Sequence, residues 1–286
     1  MEITFWGVRG SIPAPGPETN RYGGNTACVS VRTRSGHLII LDAGTGISPL
    51  GRALMQDGTG HGQLDATLLL THAHWDHIQG FPFFPPIYVP GNKLDIFGPS
   101  RSSNRLEGIL EGQMNPHFSP IHSLRNLGAA IEIKAVHEGV EFEAAGVKIS
   151  GVLNPHGKTK ALAYRIQEGG ENGKAMVYAP DAGYSSSGPP PRSLELYHGA
   201  HVLIHDCTYT PEDRALRIQR GFSSIAEAAD AAVQAQVRQL VMFHYDQDYT
   251  DDMVDVLRDR CRTLLDEAGG KKIKLVAASE GLTLTV

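Results

Sequence analysis

Short apolar runs separated by turn residues set the rhythm of this chain. Residues 2–6, 27–32, 38–41 and 67–70 read as strands, the last two as fully buried ones, because their aliphatic residues run on without polar alternation. A glycine-rich turn at 42–46 leads into a helical pattern over Ile47–Gln56. Further strands are predicted at 94–97, 131–136, 147–152, 162–166, 174–178, 202–204, Gln239–Phe243 and 272–276. Two longer helices are predicted, one over 223–237, opened by a serine cap and rich in alanine at helical spacing, and one over 250–267. The proline- and glycine-rich stretches 10–24, 81–91 and 183–191 read as loops rather than linkers, and no repeat of solenoid length is visible. Strands throughout, with helices between them, predict a mixed α and β class in one compact domain spanning 1–286.

Composition narrows this picture only a little. A hydrophobic share of 41% in 286 residues is enough for a large core, and the net charge of -5 lacks the basic excess of a protein that wraps long nucleic acid. Cys28, Cys207 and Cys261 are odd in number and far apart, which argues against a disulfide framework and predicts a reducing, cytoplasmic home. The chain begins directly in a strand pattern, and no run of ~20 apolar residues predicts membrane insertion.

Chemistry concentrates in Thr71-His72-Ala73-His74-Trp75-Asp76-His77. On extended backbone after a buried strand, His72 and His74 project to the same side. Asp76 and His77 follow where a helix can begin and re-aim the chain. Histidine with carboxylate is a usual zinc donor set, and four donors in one loop suit two metal ions better than one. Three candidates stand just after predicted strands: His156 in Asn154-Pro155-His156-Gly157, Asp181 in Tyr178-Ala179-Pro180-Asp181, and His244 in Val241-Met242-Phe243-His244.

HxHxDH after a hydrophobic strand resembles the metallo-β-lactamase fold superfamily. So do the Leu41-Asp42-Ala43-Gly44-Thr45-Gly46 turn and the order of His156, Asp181 and His244 behind the motif. The resemblance implies a four-layer αββα sandwich with metals at one edge of the sheets. It implies one ion on His72, His74 and His156, and a second on Asp76, His77 and His244. Asp181 would bridge them, and Asp42 would brace the metal loop. The expected cofactors are two divalent ions, zinc by ligand type, with manganese or iron also compatible with the mixed N/O set. A metal-bridged hydroxide would be the nucleophile, and Asp76 is expected both to ligate and to orient it.

True β-lactamases of this superfamily usually lack the counterparts of His77 and Asp181, so antibiotic hydrolysis fits poorly. Val202–Thr208, with His205-Asp206, resembles the HEAT strand of phosphodiesterases of the ribonuclease Z type, and Arg220-Gly221-Phe222-Ser223-Ser224 resembles their GHST segment. Trp6–Pro13 and Thr71–Phe84 also resemble a bacterial branch of metal-dependent hydrolases, some grouped with cyclic-nucleotide phosphodiesterases. The implied activity is hydrolysis of a small or nucleotide-like phosphodiester. His205 and Asp206 are expected to support proton traffic. Phe222 stands where that group has a histidine that helps protonate the leaving oxygen, a task then expected of water, His205 or Tyr245. Only 24 residues separate His156 from Asp181, too few for a tRNA-grasping arm, so tRNA is disfavoured as a substrate. Thioester hydrolysis of the glyoxalase II type and a catalytically impaired metal sensor are the competing readings.

Other residues carry weaker expectations. Arg9 and the 22–26 loop are candidates for the substrate mouth, against the reading of an ordinary loop. Residues 81–86 are expected to pack in the core or form a homodimer contact, with base stacking the lesser reading. Lys158, Lys160 and Arg165 are candidates for attracting an anion, or plain solvated charges. His117 and His122 are read as structural.

Overall fold

The computed structural model describes residues 1–99, 105–117, 119, 123–170 and 173–286. His122 lies outside the described residues. Among them, the strands form two sheets of seven. The first runs in the order β14-β1-β2-β3-β4-β5-β6 and the second in the order β13-β12-β11-β10-β9-β8-β7. In the first sheet β1 is Glu2–Gly7, β2 Cys28–Arg32, β3 Leu38–Leu41, β4 Asp65–Leu69, β5 Lys93–Pro99, β6 Ala130–Val136 and β14 Thr283–Thr285. In the second, β7 is Glu141–Ala144, β8 Val147–His156, β9 Thr159–Glu168, β10 Lys174–Ala179, β11 Val202–Asp206, β12 Gln239–Phe243 and β13 Lys274–Ala277.

The inner faces meet through Phe5, Val31, Leu41 and Leu69 from one sheet and Ile149, Tyr164, Val177 and Phe243 from the other, all buried in one cluster. Outside the first sheet, helix α1 (Ile47–Gln56) lays Ile47, Leu50 and Leu54 on Ile40 and Leu68. Outside the second lie α6 (Ile225–Gln234) and α7 (Asp251–Glu267), whose Ala228, Ala232, Leu257 and Cys261 join the inner cluster. The αββα sandwich that the motifs implied is therefore the observed architecture. No described helix is long and apolar enough to cross a membrane.

Local chemistry accounts for the helix starts. Ser224 Oγ accepts from Glu227 N while the Glu227 carboxylate accepts from Ser224 N, a complete capping box, and the Thr250 side chain caps α7 by accepting from Met253 N. Besides the helix Pro211–Leu216 and the short 3-10 turns, four elements escaped the sequence pattern. Strand β7 pairs only with β8 and is half-exposed throughout, and β14 is three residues long. Helix α3 (Arg105–Gln113) carries two glycines, and α4 (Pro191–Tyr197) starts on a proline that reads as a loop residue. In the 81–86 segment Phe81 and Phe84 are buried, whereas Phe83 is 62% exposed.

Residues 8–10 tie the two sheets together: Val8 N donates to Asn25 O, Gly10 N to Tyr245 O, and Tyr245 N to Val8 O. Arg9 does not line a substrate mouth; it is fully buried. Its Nε donates to Gly23 O at 2.8 Å and its Nη1 to Tyr249 O at 2.5 Å, with Nη2 3.8 Å from Asp251 Oδ1. Replacing it leaves buried carbonyls and a carboxylate short of partners. Arg9→Met should lower the free energy of unfolding by about 3–5 kcal/mol, read from urea denaturation.

Candidate metal centre

Strands β8, β10 and β12 run in the same direction, because β9 is antiparallel to both β8 and β10, and β10, β11 and β12 are parallel. Their C-terminal ends deliver His156, Asp181 and His244 to one edge of the sandwich. The loop after β4 and the single-turn helix α2 (Trp75–Ile78) deliver His72, His74, Asp76 and His77 to the same place. The structure thus brings together all seven expected ligands. Three donor sets have atoms within 4.8 Å of one another: His72–His74–His156, His72–His77–Asp181 and Asp76–His77–His244. Within this cluster only His74 is exposed.

Asp181 is the hub. Its carboxylate oxygens lie 2.9 Å from His77 Nε2, 3.6 Å from His244 Nε2, 3.7 Å from His156 Nδ1 and 4.0 Å from His72 Nδ1. Both oxygens are buried without a hydrogen-bond partner, as are His72 Nε2 and His77 Nε2. Four orphaned donor atoms converging on one point match what divalent cations require: anionic oxygen, imidazole nitrogen and no competing hydrogen bonds. The residues present therefore fit the metal ions that the motifs imply.

Electrostatics prepare the same donor set. Burial, then the neighbouring His77, hold the His72 imidazole well below its ordinary pKa, and burial with His156 lowers that of His74, which favours neutral nitrogens on both. Burial opposes ionisation of Asp76, but His77 and His244 overcome it and keep the carboxylate ionised. Asp181 is held ionised in the same way by His244, His77 and His156. Burial would lower His77, yet Asp76, Asp42 and Asp181 raise it well above its ordinary value. These carboxylates create a site that calls for positive charge.

Around the cluster, a second set of bonds fixes ring orientation. His77 Nδ1 donates to Asp42 Oδ2 at 2.7 Å, which leaves Nε2 for the centre. Asp42 also accepts from Thr71 N at 2.8 Å and Tyr178 OH at 3.0 Å. His156 Nδ1 donates to Gly221 O at 2.8 Å, and Thr208 Oγ1 lies 3.2 Å from His244 Nδ1. Ser11 N donates to Asp76 Oδ2 at 2.7 Å. Asp42 and His244 sit at φ 59° and 63°, left-handed positions that cost free energy and persist because these bonds hold them. Gly10 packs on the His244 ring, where a Cβ would fall 2.2 Å from Cε1. Of this outer set only Asp42 was visible in the sequence. Thr71, Tyr178, Thr208 and the Gly221 carbonyl gave no signal, because their partners are distant in the chain.

The residues expected to move protons are placed differently. His205 is fully buried, with Nε2 on Tyr184 OH at 2.8 Å and Nδ1 on the Asp206 carbonyl, and burial pushes its pKa down to about 4. Asp206 is pushed up to about 7 by burial, against the pull of His244 and its hydrogen bonds. Its carboxylate accepts from Ala182 N, Ser223 N, Thr208 N and Thr208 Oγ1, so it ties the Asp181 loop to the Phe222 loop. Tyr245 OH donates into the core, to Met242 O and Ala278 O. Phe222 stands between two expected ligands, its ring centroid 5.1 Å from His156 and 5.2 Å from His244. Beside His72 and His74 opens a cavity of about 210 Å³ with Leu106, Ile109, Thr159 and Lys160 on its walls. Arg165 is elsewhere, donating to Leu196 O and His198 O, and His117 is exposed on a separate segment.

Two stacked sheets with this His/Asp cluster at one edge define a metal-dependent hydrolase that binds divalent metal. Residues 37–245 match the family described as "Beta-lactamase superfamily domain", and the chain belongs to that superfamily, in its metallo-β-lactamase form. Among curated relatives, the Ribonuclease Z of Brevibacillus brevis is 27% identical, covering 88% of this chain and 87% of its own. The metallo-beta-lactamase fold protein YhfI from Bacillus subtilis has the same fold at a TM-score of 0.71 and 19% identity, covering 99% of this chain and 98% of its own. The short form of human tRNase Z (ELAC1) follows at 0.67 and 17%, covering 100% and 99%. These likenesses overturn the expectation that disfavours tRNA. A relative matched over nearly its full length is named Ribonuclease Z, and the fold of a tRNase Z spans this whole chain. The short interval between His156 and Asp181 concerns one insertion and leaves the His/Asp cluster intact.

Asp42→Ala removes the anchor of His77, Thr71 and Tyr178 together. Zinc affinity should fall about 10–100-fold in competition titrations with a chromophoric chelator. An unchanged affinity would mean that the His77 ring is held without Asp42.

Proposed function

We propose that this chain hydrolyses a phosphodiester bond in a nucleotide substrate, RNA included, at a centre of two divalent ions. The observation that carries this reading is the Asp181 carboxylate, buried without a donor and ringed by histidines on both sides. In it, His72, His74 and His156 would hold one ion and Asp76, His77 and His244 the other, with Asp181 available to both. Zinc matches the donor set, with manganese or iron as alternatives. Such a pair of ions, when bound, supplies a nucleophile at neutral pH and neutralises charge on a phosphoryl oxygen.

The protein's own groups would orient and exclude. Ser11 N–H fixes the Asp76 carboxylate, and Asp42 fixes the His77 ring edge-on to the centre. The apolar Phe222 ring keeps water from the space between His156 and His244 and offers no proton. Asp206, bound by four donors, acts by positioning the loops on either side of it. His205 supports the Tyr184 side of the same packing rather than the reacting atoms. With no histidine at 222, a good leaving group gains most.

The test is a substrate panel for zinc-loaded protein: bis(p-nitrophenyl) phosphate, cyclic nucleotides, a tRNA precursor with a 3′ trailer, and a glutathione thioester. Turnover of at least one phosphodiester, lost on chelation and restored by metal, is expected. Thioester turnover alone would reject the reading, and metal binding with no turnover would favour a sensor. Phe222→His should raise turnover of esters with alkoxide leaving groups by on the order of 10²-fold and leave p-nitrophenolate release nearly unchanged.

A further inference from the structure

Behind the loops that carry His156 and Asp181 lies a separate cavity of about 780 Å³, lined by Ser185, Ser187, Leu194, Arg214, Ile218 and Gly221 among others. Its size falls within the range of small-molecule sites. Glycines at 183 and 221 let the surrounding loops stack backbone on backbone: a Cβ on Gly183 would fall 2.3 Å from Gly221 O, and one on Gly221 would fall 1.9 Å from Gly157 N. The floor is therefore bare peptide, and its Gly221 carbonyl is the one that His156 Nδ1 holds.

Arg214, on helix α5 (Pro211–Leu216), is the unusual member of the lining. It is only 8% exposed. Its Nη2 donates to Tyr184 O at 2.9 Å, its Nε lies 3.3 Å from Glu227 Oε2, and its Nη1 has no hydrogen-bond partner among the described residues. Glu227 is a shared counter-charge, since the same oxygen accepts from Ser224 N at 2.7 Å and Ser224 Oγ at 2.9 Å in the capping box of α6. A guanidinium kept from water with an unused nitrogen and part of one carboxylate is under-compensated. On the same wall, the Ser185 and Ser187 hydroxyls add polar partners, while Leu194 and the 63%-exposed Ile218 offer apolar surface.

We propose that this cavity is a second binding site, for a small molecule that carries one carboxylate or phosphate group on an apolar body. The anion meets the Arg214 guanidinium and the serine hydroxyls, and the body lies on Leu194 and Ile218. The proposal stands on Arg214 and the cavity, independently of the reaction at the metal centre.

Isothermal titration of zinc-loaded protein with benzenesulfonate, phenylphosphonate and inorganic phosphate tests it. Sulfonate is a weak ligand for divalent metals, so its binding reports on this cavity rather than on the cluster. Benzenesulfonate should bind saturably, and phenylphosphonate should displace it more effectively than inorganic phosphate does. Ile218→Glu and Ser187→Glu, which place a like charge at the rim, should each weaken benzenesulfonate about tenfold or more. Arg214→Gln should abolish its binding; if that variant unfolds, the two rim variants decide. No saturable binding of benzenesulfonate by the wild type, or unchanged benzenesulfonate affinity in both rim variants, would overturn the proposal.

Discussion

A carboxylate buried with no donor on either oxygen is costly, and Asp181 is such a group. Only positive charge gathered around it makes the arrangement tolerable, and four imidazoles stand within 4.0 Å. Much of the molecule serves that constraint. Parallel strands bring His156, Asp181 and His244 to one edge, and the β4 loop brings four more donors over it. Two left-handed residues, Asp42 and His244, hold their places through hydrogen bonds that would otherwise have no reason to form.

The supporting bonds also tie the two sheets together. Tyr178, on the second sheet, donates to Asp42 at the end of β3 in the first. Ser11, beyond β1, reaches Asp76, while Gly10 seats the His244 ring. Segment 8–10 bonds to both the 25–26 loop and Tyr245. The cluster and the docking of the two sheets thus share the same bonds, so a change that loosens either is felt by the other.

How much was legible beforehand follows from these contacts. The seven clustered residues could be read because HxHxDH is dense in donors and the other three stand at strand ends in order. The sandwich followed from the family resemblance that the same motifs carry, while runs such as Leu38–Leu41 pointed only to buried strands in a mixed α and β class. What escaped depends on neighbours far along the chain. Nothing local marks Thr208 as the partner of His244, or the Gly221 carbonyl as that of His156. His205 looked like a proton carrier by analogy, yet its ring is turned to Tyr184 inside the core. Arg9, among glycines, reads as a mouth residue, whereas it is buried and fastens its own segment to the loops of Gly23 and of Asp246 and Tyr249. The short His156–Asp181 interval disfavours tRNA only if one missing insertion outweighs an intact cluster, and the likeness to Ribonuclease Z overturns that weighting.

The central claim is that Asp181 lies between two cation sites. Anomalous diffraction from crystals of the zinc-reconstituted protein tests it most directly. The account predicts two peaks ~3.5–4 Å apart, one beside His72, His74 and His156 and one beside Asp76, His77 and His244, with the Asp181 carboxylate touching both. A single peak, or a pair that leaves Asp181 untouched, would contradict it.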